Sequence, residues 1–111
     1  MKWQAQIDEH QRRKAKAQAM GSPKRLQERA ADGILNARQR IDELVDAGSF
    51  HESGLFAVSE LPDMAEKSPT DGAVDGYARI NGREVVVCAQ DFTTLGSSSA
   101  INNGRKTIHM A

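Results

Sequence analysis

A glycine followed by three serines, "LGSSSA" at residues 95–100, is the densest set of groups able to do chemistry in this 111-residue sequence. Gly96 permits close backbone approach. If Ser97 and Ser98 open a helix, their N–H groups point at negative charge, as in an anion- or oxyanion-binding turn. The same residues also suit an ordinary connecting loop. A serine nucleophile is poorly supported, because no Gly-x-Ser-x-Gly elbow is present and no histidine stands at a spacing that suggests a base. His10, His51 and His109 are scattered, and Cys88 has no partner at ligand spacing, so no metal site declares itself. Cys88 sits in "VVVCAQD", where its neighbours predict burial and packing, because reactivity would need an exposed thiolate. Gly104-Arg105-Lys106 could bind phosphate or be solvated surface. Arg38 and Arg40 pose the same choice, with ion pairs to Asp42 or Glu43 as the plain alternative.

The elements that must position these groups follow from local signals. Residues 2–20 hold no Gly or Pro and are rich in Ala, Gln, Lys and Arg, which predicts a long helix. Its apolar stripe, Trp3, Ile7 and a trail of alanines, is narrow, so the helix should lie on another surface. Gly21 is a plausible stop. Ser22-Pro23 then restarts a helix, with Ser as N-cap and Pro at the first helical position, running to about Ala31. Asp32-Gly33 breaks it. Asn36 and Gln39 form a capping-box variant for a third helix, with Ile41, Leu44 and Val45 as its buried face and Gly48 ending it at C′. "SFHE" at 49–52 leads into extended chain. The polar, proline-containing stretch 59–70 reads as a flexible surface loop.

After that loop, "GAVDGYARI" and "REVVVCAQD" flank Asn81-Gly82, whose residues tolerate the positive φ of a type I′ turn. Val74, Gly76, Ala78 and Ile80 alternate with polar positions in the first strand. Residues 85–89 are apolar on both faces, which predicts a strand covered on both sides, a cover that a lone hairpin cannot supply and that points to further neighbours.

Composition bounds what such elements can build. At 111 residues the chain is one domain or part of one, and 39% hydrophobic residues with five aromatics supply only a modest core. The net charge of zero divides into about +6 over residues 1–40 and −6 over 41–111. A basic arm can mean nucleic acid or an acidic membrane, but here it more simply meets an acidic surface of its own kind. A single cysteine excludes an intrachain disulfide, and no apolar run approaches the roughly 20 residues of a membrane span, so a soluble cytoplasmic protein is expected.

Taken together, "ARQRIDELVDAGSFHE" (37–52), "DGAVDGYARINGREVVVCAQDFTTLGSSS" (71–99) and "GRKTIHM" (104–110) resemble the start of the carboxyltransferase (β) subunit of biotin-dependent acyl-CoA carboxylases. Ala37, Arg38, Arg40, Ile41, Leu44, Asp46, Gly48, Ser49, Phe50 and Glu52 match its helix-to-strand segment. Asp71, Gly72, Val74, Gly76, Tyr77 and Ile80, then Gly82, Arg83, Val85, Val87, Gln90 and Asp91, then Phe92, Thr93, Gly96 and Ser98, match its hairpin. Thr70 stands where the family usually has glycine, as do Ala78 and Ser97.

The resemblance implies an α+β chain, with a helical N-terminal arm at 1–35 followed at 36–111 by a β-hairpin that opens a crotonase-like carboxyltransferase domain. It also implies an oligomer whose complete form moves CO₂ from carboxybiotin to the α-carbon of an acyl-CoA, through an enolate held by backbone N–H groups. No cofactor is expected on this chain itself. Biotin would arrive on a partner carrier, and the partners implied are acyl-CoA, a biotinylated carrier and a biotin carboxylase subunit. The family's Gly-rich oxyanion segment and its CoA and biotin surfaces have no counterpart in 1–111, so the resemblance transfers no catalytic residue. Gly96, Ser97 and Ser98 remain the loop nearest such a site. An inactive N-terminal fragment is therefore the leading expectation, with a stand-alone assembly module as the alternative. A nucleic-acid binder is disfavoured, because no aromatic residues interleave with the Lys/Arg run.

Overall fold

The computed structural model describes residues 2–61, 63–94 and 101–110. Four helices, α1 (Gln4–Gln18), α2 (Pro23–Ala31), α3 (Ala37–Leu44) and α4 (Ile101–Met110), accompany three strands, β1 (His51–Ser53), β2 (Ala73–Ile80) and β3 (Arg83–Gln90). The strands form one antiparallel sheet in the order β1-β2-β3.

The strongest local signals fold as read. Ser22 accepts a hydrogen bond from the Arg25 N–H with Pro23 in the first turn of α2. Asn36 and Gln39 bond reciprocally at 2.9 Å as the capping box of α3. Asn81 and Gly82 carry φ of 51° and 80°, the left-handed pair of a type I′ turn, and set Ile80 opposite Arg83. The C-terminus of α3 reaches this turn: Asp46 accepts from the N–H groups of both Asn81 and Gly82 at 2.8 Å.

Other boundaries differ from expectation. The left-handed residue ending α1 is Met20, with φ of 64°, and Gly21 is required for a different reason. A Cβ on Gly21 would lie 1.9 Å from the Thr93 carbonyl oxygen, so only glycine lets the arm touch residues 93–94. Helix α3 stops at Leu44, and Gly48 (φ 73°) lies in the following turn instead of at C′. Leu44 is exposed, while Ile41 is buried with Val45 packed beside it. The stretch 59–70 is no simple surface loop, since Ser59, Ser68 and Thr70 are buried. The Ser68 hydroxyl accepts from the Ser59 N–H and donates to the Met64 carbonyl, both at 2.8 Å, replacing the backbone pairing that a burial without strands would forfeit.

The core lies between α3 and one face of the sheet, where Ala37 and Ile41 meet Val74, Ala78 and Val87. Burying each valine or isoleucine there contributes roughly 1.5–3 kcal/mol. The opposite face is covered in part by α4, which explains why Ala73 and Asp75 are also buried and the expected alternation in β2 is lost. Among the described residues that face is open beyond α4: Val86 is 50% exposed and Cys88 is exposed, so the hairpin and its helices do not by themselves cover β3 on both faces, and the expected burial of Cys88 is not met within them. Lys16 pairs with Glu66, one contact joining the basic arm to the acidic half.

Candidate functional site

Gly96, Ser97 and Ser98 lie outside the described residues, but the segments before and after them are described. The leading flank is a turn organised by Asp91, which is 2% exposed. One carboxylate oxygen accepts from the Thr93 N–H (2.9 Å) and the Thr93 hydroxyl, and the other accepts from the Thr94 hydroxyl at 2.9 Å. An aspartate followed two and three residues later by threonines satisfies itself in this way within one turn. The Thr93 hydroxyl also accepts from the Gly21 N–H at 3.1 Å, and the Thr93 carbonyl accepts from the Ser22 N–H at 3.0 Å. The arm is thereby fastened to the turn that precedes residues 95–100.

The trailing flank is α4. Asn103 donates its backbone N–H to Asp71 (2.9 Å) and its side-chain amide to the Asp71 carbonyl (3.0 Å) and to Gln90 (3.3 Å). Lys106 is buried, and its ammonium donates to the Thr70 carbonyl at 2.7 Å and to the Ala73 carbonyl. Those two carbonyls converge because Thr70, Asp71 and Gly72 all take positive φ, 54°, 51° and 80°. A β-branched residue in that region is strained, so the surrounding contacts must hold Thr70 there. Gly54 makes room for the lysine stem, since a Cβ there would lie 2.7 Å from it.

Burial pushes the Lys106 ammonium below its usual range, opposed by the nearby charges of Asp75, Glu52 and Asp71. Asp75 is fully buried and no N–H or O–H donates to its carboxylate oxygens, so what stands against its charge is the Lys106 ammonium, with the Cys88 thiol beside it. Cys88 lies beside Asp75 across the strands, and its thiol is pushed up to about 11 by burial first, then by hydrogen bonding with the Asp75 carboxylate, and only then by that carboxylate's charge. The residue as a whole is exposed while its sulfur faces this covered corner; a thiol so placed is protonated near neutrality and is no nucleophile.

Two sequence expectations are corrected. Lys106 is not solvated, because its ammonium is the trailing anchor. Arg38 does not pair along its own helix; it reaches Glu52 on β1 with two bonds of 2.6 and 3.0 Å. These pairs join residues far apart in sequence, which no local spacing could foretell. Arg105 pairs with Glu60 at 2.8 Å. Among the described residues no group of three or more His, Cys, Asp or Glu could hold a metal. Among the described residues the arrangement fixes the segments on either side of residues 95–100.

Helices on both faces of an antiparallel hairpin, with polar anchors before and after residues 95–100, define an opening piece of a crotonase-like domain. Residues 28–111 match the carboxyl transferase domain, and the chain belongs to that family. It is 39% identical over 103 residues to the propionyl-CoA carboxylase beta chain of Roseobacter denitrificans, covering 90% of this chain and 20% of that one. It is 36% identical over 97 residues to the methylmalonyl-CoA decarboxylase subunit alpha of Veillonella parvula. A structure of transcarboxylase 12S with methylmalonyl-coenzyme A and methylmalonic acid bound superposes with a TM-score of 0.86 at 28% identity, over 96% of this chain and 21% of that one. A single-chain, multi-domain long-chain acyl-CoA carboxylase gives a TM-score of 0.86 at 31% identity. The chain thus spans about a fifth of the length of the curated relatives it matches. No helix among the described residues is long and apolar enough to cross a membrane.

Proposed function

We propose that this chain is the opening segment of an acyl-CoA carboxylase carboxyltransferase, a scaffold that presents the Gly/Ser loop at 95–100 and is inactive without the rest of the enzyme. The observation carrying this reading is the pair of polar anchors on either side of that loop, Asp91 with Thr93 before it and Asn103 with Lys106 after it. Buried hydrogen-bonded networks of this kind fix backbone position. A reaction that stabilises an enolate through backbone N–H groups depends on such fixed backbone more than on any side-chain nucleophile. In the complete enzyme, carboxybiotin on a partner carrier supplies the CO₂ and an acyl-CoA accepts it. Residues 1–35 are the arm, and the carboxyltransferase unit begins near residue 36, in a homo-oligomer that works with a biotin carboxylase subunit.

A graft tests this. Residues 1–111 replace the matching fifth of the Roseobacter denitrificans propionyl-CoA carboxylase beta chain, and propionyl-CoA carboxylation is measured with that enzyme's biotin carboxylase partner. The expected result is an active chimera and an inactive 111-residue chain. Carboxylation by the short chain alone, or a soluble, assembled chimera without activity, would overturn the reading.

A further inference from the structure

The arm, the turn at 91–94 and α4 meet through one short segment, Pro69–Gly72, and the hydrogen bonds that join them form a continuous path. It starts at Gly21, whose N–H donates to the Thr93 hydroxyl, and that hydroxyl donates in turn to Asp91. The Asp91 N–H donates to the Gly72 carbonyl at 2.8 Å. One residue earlier, Asp71 accepts the Asn103 N–H with its carboxylate and the Asn103 side-chain amide with its carbonyl, while the Lys106 ammonium donates to the Thr70 carbonyl. Helix α1 completes the circuit from the other side, packing against Pro69–Gly72 with Ala17 as its buried residue. Thr93, Asp91, Thr70, Asp71, Asn103 and Lys106 are all buried by the described residues themselves, so the path owes nothing to an open surface.

We propose that Thr93 is a positioning residue for the carboxyl-transfer site, the junction through which the N-terminal arm locks the segments before and after residues 95–100 into one unit. Its hydroxyl gives its single hydrogen to Asp91 and accepts the Gly21 N–H with a lone pair, so the arm and the turn are bonded through the same oxygen. The Thr93 carbonyl takes the Ser22 N–H as well, which ties the arm to this residue at two points. Hydrogen bonds in series strengthen one another, and the Asp91 carboxylate at the end of this series strengthens the bond next to it. Valine fills nearly the same space without the hydroxyl, whereas serine keeps it. The role in turnover rests on the carboxyltransferase reading, in which fixed backbone serves the enolate; the lock itself does not. A backbone displaced by about 1 Å at such a site costs about 10²-fold in rate while the groups that bind the substrate stay the same.

Native-state amide exchange of the 111-residue chain in low, rising urea tests the lock without any variant. The N–H groups of Gly21, Ser22, Asp91 and Asn103 should open together, with one free energy and one urea slope. Separate openings overturn the proposal. Thr93→Val should speed exchange at Gly21 and Asn103 alike by about tenfold, although Asn103 bonds to Asp71 and not to Thr93. In the graft of residues 1–111 into the Roseobacter denitrificans beta chain, Thr93→Val should lower kcat about 10²-fold with KM for propionyl-CoA unchanged. Gly21→Ala should do the same from the arm, and Thr93→Ser should restore most of the turnover. A Thr93→Val graft that keeps its kcat, or a Thr93→Ser graft as slow as the valine one, overturns the positioning role. A parent graft without activity counts against the carboxyltransferase reading instead, and the exchange measurement then decides the lock by itself.

Discussion

Replacing Gly21 by alanine should detach the arm from the turn at residues 91–94. The new Cβ would lie 1.9 Å from the Thr93 carbonyl oxygen, 2.2 Å from its carbon and 2.6 Å from the Thr94 nitrogen, all of them backbone atoms that cannot swing aside. Relief requires a separation of about 1.5 Å, enough to forfeit both hydrogen bonds that cross here. The bonds at stake are Gly21 N–H to the Thr93 hydroxyl and Ser22 N–H to the Thr93 carbonyl. At about 0.5–1.5 kcal/mol each, their loss amounts to about 2 kcal/mol. For a domain of this size that corresponds to a fall of about 8–16 °C in Tm. Thermal unfolding followed by circular dichroism reads the shift, and limited proteolysis reads release of residues 1–20. Two further glycines separate the causes. Gly104→Ala meets nothing within 4 Å inside α4, so it should raise stability by about 0.5–1 kcal/mol. Gly33→Ala also meets nothing but has φ of 76°, so it should cost about 1–2 kcal/mol through conformation alone. A Gly21→Ala chain with unchanged Tm and an arm no more sensitive to protease would refute the contact between arm and turn.

Lys106→Met would leave Asp75 and two carbonyls without their cation, so unfolding in urea should show a loss of about 3–5 kcal/mol, with α4 the first segment to gain exchange. Burial lowers the Lys106 pKa, so the unfolded chain binds the proton more tightly over the interval below pH 10.5; stability contributed by this group should rise with pH there, and the Met variant should lack that slope in a pH series of urea midpoints. Asp46→Ala removes the acceptor of the Asn81 and Gly82 N–H groups, and should cost about 1.5–3 kcal/mol with faster amide exchange at both residues. Thiolate absorbance should place the Cys88 titration near 11; since the folded value lies above the unfolded one, this group favours the fold below pH 9 and the effect fades as pH passes 11, whereas a midpoint at or below 9 would contradict the placement beside Asp75.

The elements that were legible in the sequence are those fixed by neighbours along the chain. Ser22-Pro23, Asn36 with Gln39, and Asn81-Gly82 each close hydrogen bonds within a few residues, so residue type and spacing suffice to place them. The family was legible for a similar reason, through motifs that preserve order and spacing. What stayed hidden depends on residues brought together from afar. Lys106 in "GRK" looks like a surface lysine until the left-handed backbone at 70–72 aims two carbonyls at it. Arg38 looks like a partner for its own helix until β1 sets Glu52 beside it. Cys88 was read as core because its neighbours are apolar, and apolar neighbours do not reveal which of the elements that cover a strand lie within the described residues.

The grip of Asp46 on the Asn81-Gly82 turn has a consequence for how the two long strands find each other. Sliding β3 past β2 by a single residue would turn Val85, Val87 and Ala89 away from α3 and bring Glu84, Val86 and Cys88 against it. Such a slip would need a turn of different length, and one carboxylate already holds both amides of the correct turn from 35 residues away. The last residues before β1 therefore act as a gauge for the hairpin. A misaligned pairing loses that anchor before it has buried anything, so the error is rejected at the turn and not in the core.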